Sequence, residues 1–137
     1  MKSTHRIKIR GFHLDLYGHV NNARYLELME EARWVYFEEM VDYRLFQERG
    51  WAFVIVNYNI NYRYPATIGD ILRIETSLKH AGTKSVVMHQ VLYLNETDKV
   101  VVDADVTFVI MDQRTQRALP IEGQLRDMLV RVAQSEG

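Results

Sequence analysis

A ten-residue polar segment, from His13 to Asn22, contains the side chains best suited to acid–base chemistry. It includes one carboxylate, Asp15, and two imidazoles, His13 and His19, and it ends in two asparagines. A carboxylate placed beside a substrate can attack an electrophile directly or act as a general base on water. The chain has no cysteine, and no serine lies in a recognisable nucleophile elbow, so an acyl-transfer reaction would depend on a carboxylate.

The residues after this segment have the spacing of an α-helix. Apolar side chains recur three and four positions apart, which predicts a helix from Asn22 to about Val41 with Asn22 as its N-cap. The wide apolar stripe indicates a helix enclosed on several sides. A helix N-terminus has unpaired N–H groups and a positive dipole end, so it would polarise a carbonyl and stabilise an oxyanion formed there.

Other interpretations of the same polar residues, as turn formers or as metal ligands, remain open. Aspartate, glycine and asparagine are ordinary turn formers, and spacing alone favours Asp15 as the acceptor of an Asx turn. His13, Asp15 and His19 are conceivable metal ligands, but their spacing matches no strong ligand pattern, so we predict no metal.

Three glutamates on the predicted helix, Glu27, Glu30 and Glu31, form a second group of candidate acids. If the helix is enclosed, at least one of them is partly buried and needs a partner, which Arg24, Arg33 or a neighbouring strand can provide.

The remainder of the chain alternates with period two, which is typical of β-strands. We predict one short strand before the polar segment, at 6–10, and four after it, at 54–63, 71–80, 85–94 and 100–111, then a helix at 122–132. In the first of the four, Val54, Val56, Tyr58, Ile60 and Tyr62 share one face, and residues 43–50 form a connector. Short turns between sequential strands require antiparallel pairing. The predicted fold is α+β, with an antiparallel five-stranded sheet wrapped around the long helix.

Composition restricts the class of protein. The length of 137 residues suits one domain, 1–137, and the net charge of −1 argues against binding nucleic acid or a membrane surface through bulk charge. The longest apolar run, Trp51 to Val56, is too short to cross a membrane. Because Met1 to His13 has no apolar signal-peptide core, we expect a cytoplasmic protein.

Several motifs together resemble the 4-hydroxybenzoyl-CoA thioesterase family of hotdog-fold proteins. They are D-x-x-G-H-V-N-N-x-x-Y from Asp15 to Tyr25, E-x-A-R from Glu30 to Arg33, and Y-x-x-P-A-x-x-x-G-D from Tyr62 to Asp70. The similarity runs from about Ile7 to Leu129 and is greatest to the long-chain acyl-CoA thioesterases of that family.

The resemblance implies a hotdog fold with Asp15 as the catalytic residue and His19 and Asn22 as further candidates. It implies that backbone N–H groups near the helix start, around Asn21 to Ala23, polarise the thioester carbonyl. The predicted substrate contacts are Gly18, Val20, Asn21, Ala23, Tyr25, Tyr62, Arg63, Lys84 and Ser85. Arg63 and Lys84 are expected to bind the CoA phosphates.

The family also implies active sites between subunits, hence a homodimer or a homotetramer built as a dimer of dimers, with no cofactor. Some relatives have a histidine where this chain has Asn22, so no histidine role carries over with certainty. Another branch of hotdog thioesterases uses a glutamate on the central helix, which keeps Glu30 and Glu31 as alternatives to Asp15.

The resulting functional prediction is hydrolysis of an acyl-CoA, with long fatty chains favoured, to a free acid and CoA. A thiol of pKa about 8.5 leaves readily, so no strong general acid is required. Two alternatives remain. One is a hotdog enoyl-thioester hydratase or dehydratase that uses His19 with Asp15, and the other is a non-catalytic acyl-CoA binding module.

Overall fold

A computed structural model describes residues 2–134 of the chain. In chain order its elements are β1 (Lys2–Lys8), a 3-10 turn (Gly11–His13), α1 (Asn22–Met40), α2 (Tyr43–Arg49), β2 (Trp51–Tyr62), β3 (Ile71–Ala81), β4 (Val86–Leu94), β5 (Val100–Asp112), β6 (Arg117–Ala118) and α3 (Gly123–Gln134).

Five long antiparallel strands form one sheet in the order β1-β3-β4-β5-β2, and the two-residue β6 pairs with the end of β5. Alternate residues of β5, from Val102 to Ile110, are buried on the face that packs against α1. From α1, Met29 and Ala32 are completely buried in this core. The predicted α+β fold, an antiparallel sheet wrapped around a long helix, is confirmed.

The predicted face of β2 is wrong in its first half because the strand contains a β-bulge. The register with β5 shifts between Ile55 and Asn57, so Val56 is an extra residue without an opposite partner. Before the bulge it is Phe53, stacked on Phe37 at 4.2 Å, that faces the helix. Val54 therefore lies on the outer face, whereas Tyr58 and Ile60 face the core as predicted.

The short helix α2 was not predicted, and the first strand has other bounds than predicted. The segment taken as a connector contains α2, which Asp42 caps by accepting from the Leu45 N–H at 3.2 Å, and Gly50 ends it in the left-handed conformation at φ +69°. The Asp and Gly at these two positions were the available signal. The first strand begins earlier than expected, at Lys2, because pairing with β3 extends it into residues with little apolar character.

The single chain covers α1 on one side only, so the expectation of an enclosed helix is wrong for the isolated chain. Leu26 and Trp34, on the uncovered side, are 39% and 41% exposed. Glu27, Glu30 and Glu31 are exposed too, against the prediction that at least one is partly buried. Glu27 does pair with Arg24, at 2.9 Å, as one of the two partners proposed for these acids.

Candidate active site

Asp15 lies in a tight turn that fixes half of its carboxylate. Its Oδ1 accepts from the backbone N–H of Tyr17 at 2.8 Å and of His19 at 3.2 Å, so the Asx turn considered from the sequence is present. Gly18 closes the turn with φ +77°, a conformation that favours glycine. The second oxygen, Oδ2, has no hydrogen-bond partner within the described residues, and Asp15 is half-buried. A structural role and a free carboxylate oxygen therefore coexist in one side chain.

The turn leads directly into the start of α1. Asn21, not Asn22 as predicted, is the N-cap, because its Oδ1 accepts from the Ala23 N–H at 2.9 Å. The Arg24 N–H donates to the Asn21 carbonyl at 2.9 Å, and the Asn21 N–H to the His13 carbonyl at 2.9 Å. Within residues 2–134 the Asn22 N–H has no acceptor. The family resemblance predicts that N–H groups of residues 21–23 polarise the thioester carbonyl. Of these, the Asn22 N–H is the one that is free to do so.

A second loop, between β2 and β3, supports the turn. The Thr67 hydroxyl donates to the Gly18 carbonyl at 2.8 Å, and Thr67 also bridges to the backbone of His19. The buried Val20 donates its N–H to the Ala66 carbonyl at 2.9 Å. Thr67 was not identified from the sequence, although it lies inside the motif that carries the family resemblance. The exposed His19 acts here through its backbone, and its ring has no hydrogen bond among the described residues.

His13 is buried before the turn and holds its first part in place. Its Nδ1 accepts from the Arg10 N–H at 2.9 Å, which places the proton of the neutral ring on Nε2. Burial is the main cause that lowers the pKa of His13, and the charge of Arg24 lowers it further. With Nδ1 occupied, His13 is not available with Asp15 and His19 as a metal ligand through that atom. Among residues 2–134 no group of three or more His, Asp or Glu side chains can hold a metal ion.

Two tyrosines lie against the helix start. Tyr25 is buried, and its ring packs on Tyr62 with centroids 5.7 Å apart. The Tyr62 hydroxyl donates to the Asn22 carbonyl at 3.2 Å. Burial raises the pKa of Tyr25, so its phenol stays protonated at neutral pH.

The cations predicted for CoA are divided between two places. Arg63 follows Tyr62 near the helix start and forms an ion pair with Asp103, which holds the pKa of that carboxyl below its ordinary value. Lys84 and Ser85 lie at the turn after β3, whereas the Asp15 loop contacts the segment before β3. Eleven strand residues span about 36 Å, so one chain does not bring Lys84 to Asp15.

One buried charge was missed by the sequence analysis. Arg33 is 6% exposed, and its Nη1 donates to the Tyr58 hydroxyl and, at 3.1 Å, to Gln90 Oε1. Gln90 in turn donates to Thr76 Oγ1 and to the Met29 carbonyl, both at 3.0 Å. From the sequence, Arg33 was expected only as a possible partner of a partly buried helix glutamate.

These elements position the parts needed to attack a carbonyl. A carboxylate with one free oxygen stands before a helix N-terminus that presents one free N–H, next to a tyrosine-lined surface. The carboxylate can act as nucleophile or general base, and the N–H can stabilise an oxyanion.

No helix among the described residues has the length and apolar character needed to span a membrane.

A curled sheet around a helix with a carboxylate before the helix start defines the hotdog thioesterase class, and sequence comparison agrees. The chain belongs to the thioesterase-like superfamily, whose profile matches residues 12–129. It is 49% identical over 124 residues to the long-chain acyl-CoA thioesterase FadM of Escherichia coli strain K12, covering 90% of this chain and 94% of that protein. The predicted family and enzyme class are confirmed.

Solved structures support the fold. The probable thioesterase YbaW from Escherichia coli superposes with a TM-score of 0.90 at 47% identity, covering 95% of this chain and 98% of that one. A Staphylococcus aureus protein in complex with CoA superposes with a TM-score of 0.86, covering 98% of this chain and 85% of that one. At 12% identity the second likeness concerns the fold alone.

Proposed function

We propose that the protein hydrolyses long-chain fatty acyl-CoA to a fatty acid and CoA, with Asp15 as the reacting carboxylate. The proposal rests on the different states of the two carboxylate oxygens. Oδ1 is held by two backbone N–H groups, whereas Oδ2 is free, in the loop that leads into α1. The name of the 49% identical Escherichia coli relative supports acyl-CoA as the substrate class and a long chain as the acyl group.

In the proposed reaction the thioester carbonyl oxygen accepts from the Asn22 N–H. Asp15 Oδ2 then either attacks the carbonyl carbon or removes a proton from an attacking water. In the first route the loss of CoA leaves an anhydride between the acyl group and Asp15, and water cleaves it to release the fatty acid and restore the carboxylate. Negative charge that develops on the carbonyl oxygen is stabilised by the same N–H and by the dipole of α1. The tetrahedral species expels CoA as a thiolate, whose conjugate acid has a pKa of about 8.5. His19 supports the reaction through its N–H to Oδ1, which holds Asp15 in orientation.

We further propose that the active unit contains two copies of the chain, as a homodimer or a dimer of dimers. β2 is an edge strand of twelve residues with an unpaired side, and Ile55 and Val56 at its middle are 39% and 55% exposed. Trp34 and Leu26 are exposed on the adjacent side of α1. A second copy that covers this surface would also allow Lys84 and Ser85 of one copy to reach a substrate bound at the Asp15 of the other. The cytoplasmic location and the single-domain organisation stay predictions.

Replacing Asp15 with asparagine tests the reacting carboxylate. The amide oxygen of Asn can still accept from the Tyr17 and His19 N–H groups, so the turn should survive while the nucleophile or base is lost. We expect kcat to fall by about a thousandfold or more, since nucleophilic and general-base roles contribute factors of this order. The release of free thiol from a series of acyl-CoA chain lengths measures kcat, and equilibrium binding of a long acyl-CoA should be retained.

The control is Glu31→Gln, which removes an exposed helix carboxylate of the alternative mechanism. Near-normal turnover in Asp15→Asn would reject the proposal, and an inactive Glu31→Gln would move the chemistry to the helix. The same assay separates the other functions. A hydratase changes an enoyl-CoA without releasing thiol, and a binding module binds acyl-CoA without turnover.

A further inference from the structure

A pocket of about 430 Å³ lies at the far end of α1 from Asp15. It is enclosed by the second half of α1, by α2, by the start of β2 and by one residue of β5. Its walls are mainly aromatic: Trp34, Phe37, Tyr43, Trp51, Phe53 and Phe108. Such a lining suits an alkyl chain or a flat ring.

The buried Arg33 also borders this pocket. A guanidinium has five N–H donors, and both hydrogen bonds of Arg33 within the structure use Nη1. Both acceptors, the Tyr58 hydroxyl and Gln90, are neutral, and no carboxylate of the described residues lies within ion-pair distance. The donors on Nε and Nη2 therefore have no partner in residues 2–134.

These donors are not fully enclosed by protein. Neither Nε nor Nη2 of Arg33 is among the fully enclosed side-chain atoms without a hydrogen-bond partner in the described residues. Nε and Nη2 of Arg33 are therefore not sealed from the space around them, and the space that Arg33 borders is the pocket. Glu30, one turn earlier on α1, borders the same pocket and contributes a carboxylate acceptor.

The pocket and the candidate active site both lie between α1 and β2, at opposite ends of the two elements. α1 and β2 lie side by side, with Tyr62 bonded to the Asn22 carbonyl at one end and Phe53 stacked on Phe37 at the other. Between them Arg33 lies over the Tyr58 ring at 5.4 Å. Arg33 follows Asn22 by eleven residues, or about 16 Å along the helix, so an extended acyl chain with its carbonyl at Asn22 reaches Arg33 with its far end.

We propose that this pocket binds the far end of the acyl chain and selects chains that carry a hydroxyl group there. The inference rests on the proposed function and adds the substrate class. A hydroxyl can accept from Arg33 and donate to Glu30 at the same time. A terminal methyl leaves the Arg33 donors unpaired, and a terminal carboxylate meets the negative charge of Glu30.

Tryptophan fluorescence tests binding directly, because the two tryptophans of the chain, Trp34 and Trp51, both line the pocket. The ligands are tetradecanoic acid, its ω-hydroxy derivative and the corresponding dicarboxylic acid. We expect the ω-hydroxy acid to bind at least about tenfold more tightly than the other two, as a hydrogen bond to a charged group allows. Equal affinities would overturn the proposal. Tightest binding of the diacid would also overturn it, because the pocket would then prefer an anion to a hydroxyl.

Kinetics test the residues. The ratio of kcat/KM for ω-hydroxytetradecanoyl-CoA to that for tetradecanoyl-CoA should be about ten in the wild type and close to one in Arg33→Met. Glu30→Gln should lower the ratio severalfold, and Glu38→Gln, an exposed helix residue outside the pocket, should preserve it. If Arg33→Met does not fold, the change of the ratio in Glu30→Gln carries the test.

Two failures are distinguishable in this experiment. If neither thioester is hydrolysed, the proposed function is wrong. If both are hydrolysed and the wild-type ratio is close to one, the proposed function survives and the hydroxyl selection is wrong. An unchanged ratio in Arg33→Met would also overturn the role of that residue.

Discussion

The carboxylate of Asp15 has two different environments on its two oxygens. Oδ1 is fixed by two backbone N–H groups of its own turn, while Oδ2 has no hydrogen-bond partner among the described residues. A reacting group held in this way loses little orientational freedom when a substrate binds. The nearby His13 contributes a second kind of control, because it joins Arg10 to the loop through Nδ1 and joins the loop to Asn21 through its carbonyl.

The stability of the protein should depend on the titration of His13. Burial first, and the charges of Arg24 and Arg10, lower its pKa in the folded state, whereas Glu27 opposes them. The unfolded chain then binds a proton at higher pH than the folded chain does. This contribution to the free energy of unfolding is present above about pH 6.5 and is lost as the pH falls through the lowered folded pKa.

His13→Asn measures this dependence, since the amide oxygen can replace Nδ1 as acceptor for Arg10 and does not titrate. Between pH 7.5 and pH 5 we expect the variant to lose less stability than the wild type. The slopes of the free energy of unfolding against pH should differ by at most the equivalent of about one bound proton. Urea unfolding at several pH values gives both slopes. Parallel slopes would show that His13 does not titrate differently in the two states.

Individual residues differ in how far sequence alone identified them. The Asx turn at Asp15 was predicted from residue type and spacing, whereas its catalytic role came from the family resemblance and stays a prediction. The sequence could not single out the free N–H of Asn22 among residues 21–23, since which backbone groups remain unpaired depends on where the chain places His13 and Asn21. Arg33 was missed because its acceptors, Tyr58 and Gln90, come from strands that are distant in the sequence.

At the scale of elements, the start of α1 is the critical junction. Asn21 caps the helix with its side chain, and the adjacent Asn22 is the first helical residue with an exposed side chain. Two neighbouring residues of the same type therefore have different roles. This difference was not accessible from the sequence, in which either asparagine satisfies the preference for an N-cap.

Alanine substitutions separate these two roles. Asn21→Ala should lower the free energy of unfolding by about 1 kcal/mol through loss of the cap, whereas Asn22→Ala should change it by less than about 0.5 kcal/mol. Chemical denaturation of both variants beside the wild type measures the difference. Equal losses, or a larger loss in Asn22→Ala, would contradict the assignment of the cap.

The strands show the same limit of sequence patterns. Period-two alternation located the four long strands after α1, with ends within about three residues. It could not reveal the bulge at Val56, because an extra residue shifts the pattern by one position and leaves an apolar run that fits either face. The consequence is that Phe53 and not Val54 lines the pocket.

At the scale of the molecule, the part of the chain that the structure describes leaves one side of the long edge strand β2 open. Within residues 2–134 β2 pairs with β5 alone, and its exposed Ile55 and Val56 lie close in the fold to the uncovered side of α1. Open apolar edges of this length promote association unless they are covered. In the proposed assembly, a second copy that covers this edge would also bring further residues to the substrate, so that activity would depend on assembly.

Val56→Lys tests this link, because a charge at the middle of the edge opposes pairing. We expect the variant to sediment as a monomer, to remain folded and to lose most of its thioesterase activity. Ala118→Lys, on the exposed strand β6, is the matched control and should keep both the mass and the activity of the wild type. A wild type that is already monomeric and active, or a monomeric variant with full activity, would contradict the proposed assembly.

The Asx turn at Asp15 has a consequence for how such a protein can change over time. The proposed reacting acid and the amides that hold it belong to the five consecutive residues Asp15–His19, whereas the walls of the distant pocket come from four other elements. Substitutions that reshape the pocket leave this short unit intact. The proposed chemistry can therefore be inherited unchanged while the acyl chains that the pocket accepts diversify. New substrate preferences can arise without any change in the turn at Asp15.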